Sequence, residues 1–311
     1  MCSKLLHEEN QYLDLIREIL TDGDKRSDRT GVGTRSVFGR QMSFSLNSWT
    51  IPLFTTKRIF FRGVIEELLW FISGDTSART LANKGVHIWD ANSSRAFLDS
   101  RGLTDYPEGD LGPIYGFQWR HFGAHYRGCE GTNQIHSLNN SNESSSLISY
   151  TDEGVDQLAY IVNTLRSDPF SRRIVLSSWN PIDLPRMALP PCHCLVQFWV
   201  SSDYKLSSLM YQRSCDLGLG VPFNVASYSL LTLLLAHVTN MQPGEFIHSM
   251  GDVHIYNSHI EPLRQQLQRT PYPFPTIRFR RKVKEITDFT SDDIELVNYK
   301  FHPPIKMEMA L

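Results

Sequence analysis

Two apolar, strand-like segments, Cys194 to Val200 and Lys205 to Arg213, are separated by four residues that carry the turn signal Ser201-Ser202-Asp203. A link that short joins antiparallel neighbours, because a parallel pair needs a crossover of a dozen or more residues. The segments therefore predict a hairpin and a sheet that is at least partly antiparallel. Arg173 to Trp179 before them and Phe246 to Tyr256 after them have the same strand character, and Asp168-Pro169 punctuates the approach. Helical spacing groups Leu13, Ile16 and Leu20, then Ile65, Leu68, Leu69 and Ile72, then Val155, Leu158, Val162 and Leu165, which predicts three amphipathic helices. Strands and helices do not alternate in regular βαβ units. The chain reads as α+β, with a mixed, largely antiparallel sheet covered by helices.

The stretch from Gly128 to Gly154 includes Asn139-Asn140-Ser141-Asn142-Glu143-Ser144-Ser145-Ser146 and offers little to bury, so it is expected to be a mobile surface insertion. Chemically suggestive residues lie on both sides of it. This favours a single catalytic domain over 1–311 with an insertion at 128–154.

The 311 residues are 41% apolar and 21% charged, enough to bury a sizeable core. Lys plus Arg number 31 against 33 Asp plus Glu, a net charge of -2, so no overall field draws nucleic acid or a membrane surface, and neither is expected as a partner. Lys4, Glu8 and Glu9 fall where a signal peptide would be apolar. The apolar run Val225 to Val238 contains Ser227, Ser229, Thr232 and His237 and is shorter than the ~20 residues that span a bilayer, so a buried helix is expected. Five irregularly spaced cysteines fit thiols kept reduced, and a cytoplasmic location is expected.

Leu189-Pro190-Pro191-Cys192-His193 mounts a thiol at the entrance of a strand, behind two prolines that fix the backbone. A lone cysteine is more often structural than reactive, and a reactive one needs a cation nearby. His193 neighbours Cys192, but successive strand residues point to opposite faces, which argues against it as that cation. Cys194 is expected to share a face with Cys192, roughly 6 to 7 Å along the strand. No second Cys or His pair stands at ligand spacing, so no metal is expected.

Arginines occur in three polar contexts, Asp28-Arg29-Thr30-Gly31, Ser171-Arg172-Arg173 and Gln212-Arg213-Ser214. Guanidinium groups and a hydroxyl that converge make a phosphate cradle. The Gly-x-Gly of Gly31-Val32-Gly33 lacks both a dinucleotide fingerprint and a P-loop lysine. In Glu66-Glu67-Leu68-Leu69-Trp70, Glu66 is expected to face solvent and Glu67 the core, where a carboxyl with a raised pKa can move protons. Period-two geometry puts Asp252, His254 and Tyr256 on one strand face, opposite Val253 and Ile255, which implies a ligand or a wet groove.

With these residues in view, the chain closely resembles the thymidylate synthases from Leu13 to Leu311. The resemblance rests on Asp28-Arg29-Thr30-Gly31, Glu67-Leu68-Leu69-Trp70-Phe71, Gly109-Asp110-Leu111-Gly112-Pro113-Ile114-Tyr115-Gly116 and Leu189-Pro190-Pro191-Cys192-His193. It rests equally on Gly218-Leu219-Gly220-Val221-Pro222-Phe223-Asn224 and Gly251-Asp252-Val253-His254-Ile255-Tyr256. The family's fold and activity are then implied: Cys192 attacks C6 of the uracil ring of dUMP, and C5 captures the one-carbon unit of 5,10-methylenetetrahydrofolate. The folate also supplies the hydride, giving dTMP and dihydrofolate without nicotinamide.

The resemblance implies a catalytic set of Cys192, Glu67, Tyr115, Arg213 and Asn224, with Arg213 as the cation for the thiolate and Glu67 acting through water. It implies that Arg29, Arg213 and Ser214 hold the phosphate of dUMP, and that Arg172 and Arg173 reach it from the partner subunit of a homodimer. Asn224 would meet the pyrimidine edge, His254 and Tyr256 the deoxyribose hydroxyl, and Asp216 both substrates. Ile88, Trp89, Asn92, Leu219, Gly220 and Phe223 would complete the folate pocket, closed by the tail Met307-Glu308-Met309-Ala310-Leu311. Cys194 stands where many members carry Ala and Cys215 where many carry Gly. The 128–154 segment is longer than in most members, and Phe170 is an added residue before Ser171-Arg172-Arg173.

Three rivals remain in view. A pyrimidine hydroxymethylase on the same fold is disfavoured in its dCMP form by Asn224, since an aspartate would suit cytosine. A nucleic-acid-binding or regulatory protein keeping only the scaffold is disfavoured by the full set of reacting residues. A cysteine hydrolase would need a positioned histidine base.

Overall fold

The computed structural model describes residues 7–28, 30–129, 150 and 152–309. The chain begins with α1 (Asn10–Asp22), whose Tyr12, Leu13, Ile16 and Ile19 are buried along one face, then β1 (Asp24–Arg26) and β2 (Thr34–Ser45). The apolar α2 (Phe61–Ile72) leads into three short helices, α3 (Ala78–Ala82), α4 (Asp90–Ser93) and α5 (Arg95–Ser100), and then α6 (Tyr115–His121). Next come α7 (Gln157–Ser167), β3 (Val175–Ser177), β4 (His193–Val200) and β5 (Lys205–Asp216). The long α8 (Gly220–Thr239) feeds β6 (Gln242–Tyr256), followed by α9 (Ile260–Gln266) and a small antiparallel pair, β7 (Thr276–Phe279) and β8 (Ile294–Val297).

Six strands form one sheet in the order β1-β2-β6-β5-β4-β3. The hairpin expected at Ser201-Ser202-Asp203 is present, with Val200 opposite Leu206. Every pairing in this sheet is antiparallel except β5 with β6, whose parallel crossover is α8. The sheet is therefore mixed and largely antiparallel, as the sequence indicates, with one βαβ step that the sequence reading did not single out.

Several boundaries differ from expectation for local physical reasons. Val155 is exposed and bridges Phe122, because Asp156 caps α7 by accepting the Ala159 N–H and the helix starts one residue later. The strand expected from Arg173 narrows to Val175–Ser177. The buried helix expected at Val225 begins at Gly220 and runs for 20 residues, with Pro222 in its first turn where a missing N–H costs no bond. That is long and apolar enough to cross a membrane, yet 89% of its most apolar window is buried inside the fold. Leu230, Leu231, Leu233, Leu234 and Leu235 are all fully buried there, each contributing about 1.5 to 3 kcal/mol by burial.

The opposite face of the sheet is largely uncovered in the single chain. Val175, Gln197, Leu209 and Ile247 stand in cross-strand register on it, with Leu195 beside Tyr211 and Trp199 beside Ser207. Trp199 is 60% exposed, Leu195 37% and Val175 36%. Most of the 128–154 segment, residues 130–149 and 151, lies outside the described residues.

Candidate active site

The start of β4 and the ends of β5 and β6 meet the first turn of α8 around a cavity of about 590 Å3. Cys192 opens into it from the residue before β4. Its N–H donates to the Tyr115 hydroxyl at 2.8 Å, and its carbonyl accepts the Arg213 N–H at 2.9 Å. The two prolines do more than stiffen the mount. Their carbonyls accept from the Arg213 guanidinium, Nη2 to Pro190 at 3.0 Å and Nε to Pro191 at 2.9 Å, which holds Nη2 3.9 Å from the Cys192 sulfur. The guanidinium also lies over the Trp179 ring, 5.5 Å from its centroid. A cation locked beside a thiol favours the thiolate.

His193 is not that cation. Burial pushes it down to about 4, so it is neutral near pH 7. It also lines the cavity, next to Cys192 in sequence, whereas Cys194 does not. The expected shared face of Cys192 and Cys194 fails because the β4–β5 register shifts between His193 and Leu195, breaking period-two alternation. The Cys194 thiol instead donates toward the Cys192 and Pro191 carbonyls. Burial pushes the thiols of Cys194 and Cys215 up, which keeps both protonated.

Glu67 of α2 enters the cavity with its carboxylate accepting the Trp89 indole N–H at 2.7 Å. Burial pushes it up to about 7 against the opposing pull of Trp89. Glu66 is also buried, contrary to the solvent-facing expectation, because Lys84 folds over it and donates at 2.9 Å. Burial and the neighbouring Cys192 raise the Tyr115 hydroxyl well above its ordinary range, so it stays a neutral donor and acceptor.

Asn224 sits in α8, where its Oδ1 accepts from Gln212 Nε2 at 3.1 Å. Asp216 closes β5 and caps α8, accepting the N–H groups of Gly218 at 2.8 Å, Leu219 at 3.1 Å and Gly220 at 3.3 Å. Burial pushes its carboxyl up, but His259 at 3.6 Å and these donors outweigh that and hold it below its ordinary value. On β6, the Asp252 carboxylate meets His254 Nδ1 at 3.1 Å and is itself held by Arg26 at 2.6 Å, so His254 and Tyr256 face the cavity with one ring already oriented. Ser214, Ile88, Trp89 and Asn92 line the same space, as do Leu219, Gly220 and Phe223.

The remaining arginines fall elsewhere. Arg172 and Arg173 are exposed just before β3 and do not line this chain's cavity, while Arg29 lies outside the described residues. Its loop is shaped by Asp28, whose carboxylate accepts from Thr30 N at 2.9 Å and Gly33 N at 2.8 Å, with Gly31 and Gly33 at φ 74° and 78°.

The sequence reading missed Lys57, Arg58 and Gln212 as cavity residues. Lys57 is 5% exposed, donates to the Gly218 carbonyl, reaches the Met307 sulfur at 3.8 Å, and is pushed down to about 8 by burial. Lys57 follows Leu53-Phe54-Thr55-Thr56 and precedes Arg58, a context that carries no local signal of burial. The tail is latched by His259 Nε2, 2.7 Å from the Glu308 carbonyl oxygen, and Met309 reaches the cavity wall, while residues 310 and 311 lie outside the described residues.

Comparison with known proteins bears directly on this arrangement. A family model described as thymidylate synthase matches residues 10–311. The chain is 56% identical over 306 residues to a thymidylate synthase of Herpesvirus ateles, covering 98% of this chain and 99% of that one. It is 55% identical over 305 residues to the thymidylate synthase of Homo sapiens, covering 98% and 91%. It is 54% identical over 306 residues to a bifunctional dihydrofolate reductase-thymidylate synthase of Leishmania amazonensis, covering 98% of this chain and 56% of that one. The chain thus spans about half the length of that bifunctional relative and nearly all of the other two.

Proposed function

The chain belongs to the thymidylate synthase family and is a methyltransferase of that family, and on this premise we propose how its own residues turn dUMP into dTMP. The Cys192 thiolate adds to C6 of the uracil ring, which places negative charge on C5 and O4 and makes C5 the nucleophile. Arg213 favours the thiolate before addition. Asn224 meets the ring edge, its amide donating to O4 and accepting from N3–H. 5,10-Methylenetetrahydrofolate is the one-carbon and hydride donor and leaves as dihydrofolate, and the Cys192–C6 bond breaks as the C5–C6 double bond re-forms, which frees dTMP and returns the thiolate.

The walls suit both molecules. Ile88, Trp89, Leu219 and Phe223 offer apolar surface for a flat pterin, with Asn92 and the Asp216 carboxylate to meet its polar edge. Ser214, Arg213 and Arg29 serve the phosphate, and His254 and Tyr256 the deoxyribose hydroxyl. Glu67, poised near neutrality, exchanges protons at O4 through water, and the neutral Tyr115 hydroxyl relays the C5 proton once the one-carbon unit is attached, accepting it as its own proton passes to water. The observation that carries this reading is the Cys192 sulfur 3.9 Å from a guanidinium fixed by the Pro190 and Pro191 carbonyls.

We further propose a homodimer. The exposed sheet face with Trp199, Leu195 and Val175 is apolar enough to be covered by a second copy, and the exposed Arg172 and Arg173, just before β3, would then serve the partner's phosphate. A reducing cytoplasm keeps the nucleophile usable. The test is direct: dUMP and 5,10-methylenetetrahydrofolate with the folded chain should generate dihydrofolate and dTMP in equal amounts, and a folded sample that generates neither refutes the reading.

A further inference from the structure

Gln212 is a fully buried side chain of β5 that lies between Asn224 and His248 of β6, and its amide is committed on both sides. Nε2 donates to Asn224 Oδ1 at 3.1 Å and to the Ser214 carbonyl at 2.9 Å. Oε1 stands 2.9 Å from His248 Nε2. With both amide hydrogens used, Gln212 presents only an acceptor to His248, so His248 Nε2 must carry the proton.

His248 is well suited to that one task. It is fully buried, faces Met42 and Met210 across the strands, and its Nδ1 has no hydrogen-bonding partner among the described residues. Burial pushes its pKa down to about 3, so the ring is neutral and carries a single proton. A flipped Gln212 would set its N–H groups against His248 Nε2–H and its oxygen against Asn224 Oδ1 and the Ser214 carbonyl. All three contacts would be mismatched at a buried side chain.

We propose that His248 is a positioning residue for base selection. Its Nε2–H fixes the Gln212 amide, and Gln212 in turn, together with the neighbouring His193 ring, fixes the Asn224 amide so that Oδ1 stands as the acceptor and Nδ2 as the donor. The cavity then offers an acceptor and a donor in the order that uracil requires and cytosine does not. The inference rests on the reading of Asn224 as the group that meets the pyrimidine edge.

The test compares dissociation constants for dUMP and dCMP in the intact enzyme and in His248→Phe, His248→Gln and Asn224→Ala. Phe keeps an aromatic ring without a donor, whereas Gln can bring an amide N–H to where Nε2 stood. His248→Phe should lower the dCMP-to-dUMP ratio of dissociation constants at least about tenfold, His248→Gln should retain it, and affinity for deoxyribose 5-phosphate should hold in both. A ratio kept in His248→Phe but lost in Asn224→Ala overturns the relay alone. A ratio kept in Asn224→Ala brings down the base-reading premise and the relay with it. If His248→Phe does not fold, nitrogen-15 NMR of the wild-type enzyme decides, with the His248 signals assigned by their loss in His248→Gln. A neutral, Nε2-protonated ring is expected, and an Nδ1-protonated or charged ring overturns the proposal.

Discussion

Glu67→Gln separates what the buried carboxyl does for the reaction from what it costs the fold. In the folded chain the carboxyl is pushed from an ordinary 4.5 up to about 7, chiefly by burial. A raised pKa means that the fold favours the protonated form. The associated stability is fully present below about 4.5 and is lost as pH rises through about 7. At ~1.4 kcal/mol per unit, the full loss is about 3 to 4 kcal/mol. Glutamine is always neutral and its oxygen can still accept the Trp89 N–H, so the variant escapes the loss. Unfolding by denaturant at fixed protein concentration should show variant and wild type nearly equal in stability at about pH 4.5, diverging to about 3 to 4 kcal/mol in favour of the variant at about pH 8. Turnover should fall severely at every pH because the proton carrier is gone. A stability difference that does not change with pH would refute the buried, proton-hungry carboxyl, whatever happens to activity.

Other consequences are equally specific. If Arg172 serves the neighbouring subunit, mixing inactive Cys192→Ser with inactive Arg172→Glu under conditions of subunit exchange should recover up to about a quarter of wild-type turnover, since half the dimers are mixed and each has one intact site. Exchange confirmed by mass without recovery would show that Arg172 does not act across subunits. Asn224→Asp should shift the dUMP-to-dCMP ratio of kcat/KM toward dCMP by about tenfold to hundredfold, the worth of one mismatched buried contact, and an unchanged ratio would remove Asn224 from base reading.

Much of this site was legible in the sequence because its motifs are local. Leu189-Pro190-Pro191-Cys192 told of a rigid mount, and Gln212-Arg213-Ser214 of a cation on a strand. What the sequence did not reveal is the closure between them, in which proline carbonyls separated from Arg213 by a whole hairpin hold its guanidinium. The hairpin was equally plain, yet β2 went unread although Met42, Phe44 and Leu46 alternate with polar residues, because Gly39, at φ 72°, and the polar pair Arg40-Gln41 interrupt the pattern. Glu66 and Glu67 illustrate the limit of periodicity. Both are buried, and only the three-dimensional partners, Lys84 for one and Trp89 for the other, separate an ion pair from a candidate proton carrier. Lys57 and His248 were missed for the same reason: a polar residue is silent until its partner is known.

The central claim is that the Cys192 thiol is the nucleophile, and the most direct measurement is dihydrofolate formation by Cys192→Ser beside Cys194→Ala and Cys215→Gly, with dUMP binding followed in each. Cys192→Ser is expected to show no turnover while still binding dUMP through the phosphate and ring contacts, and the other two variants to keep most of their activity. Turnover by folded Cys192→Ser near the wild-type rate would contradict the account.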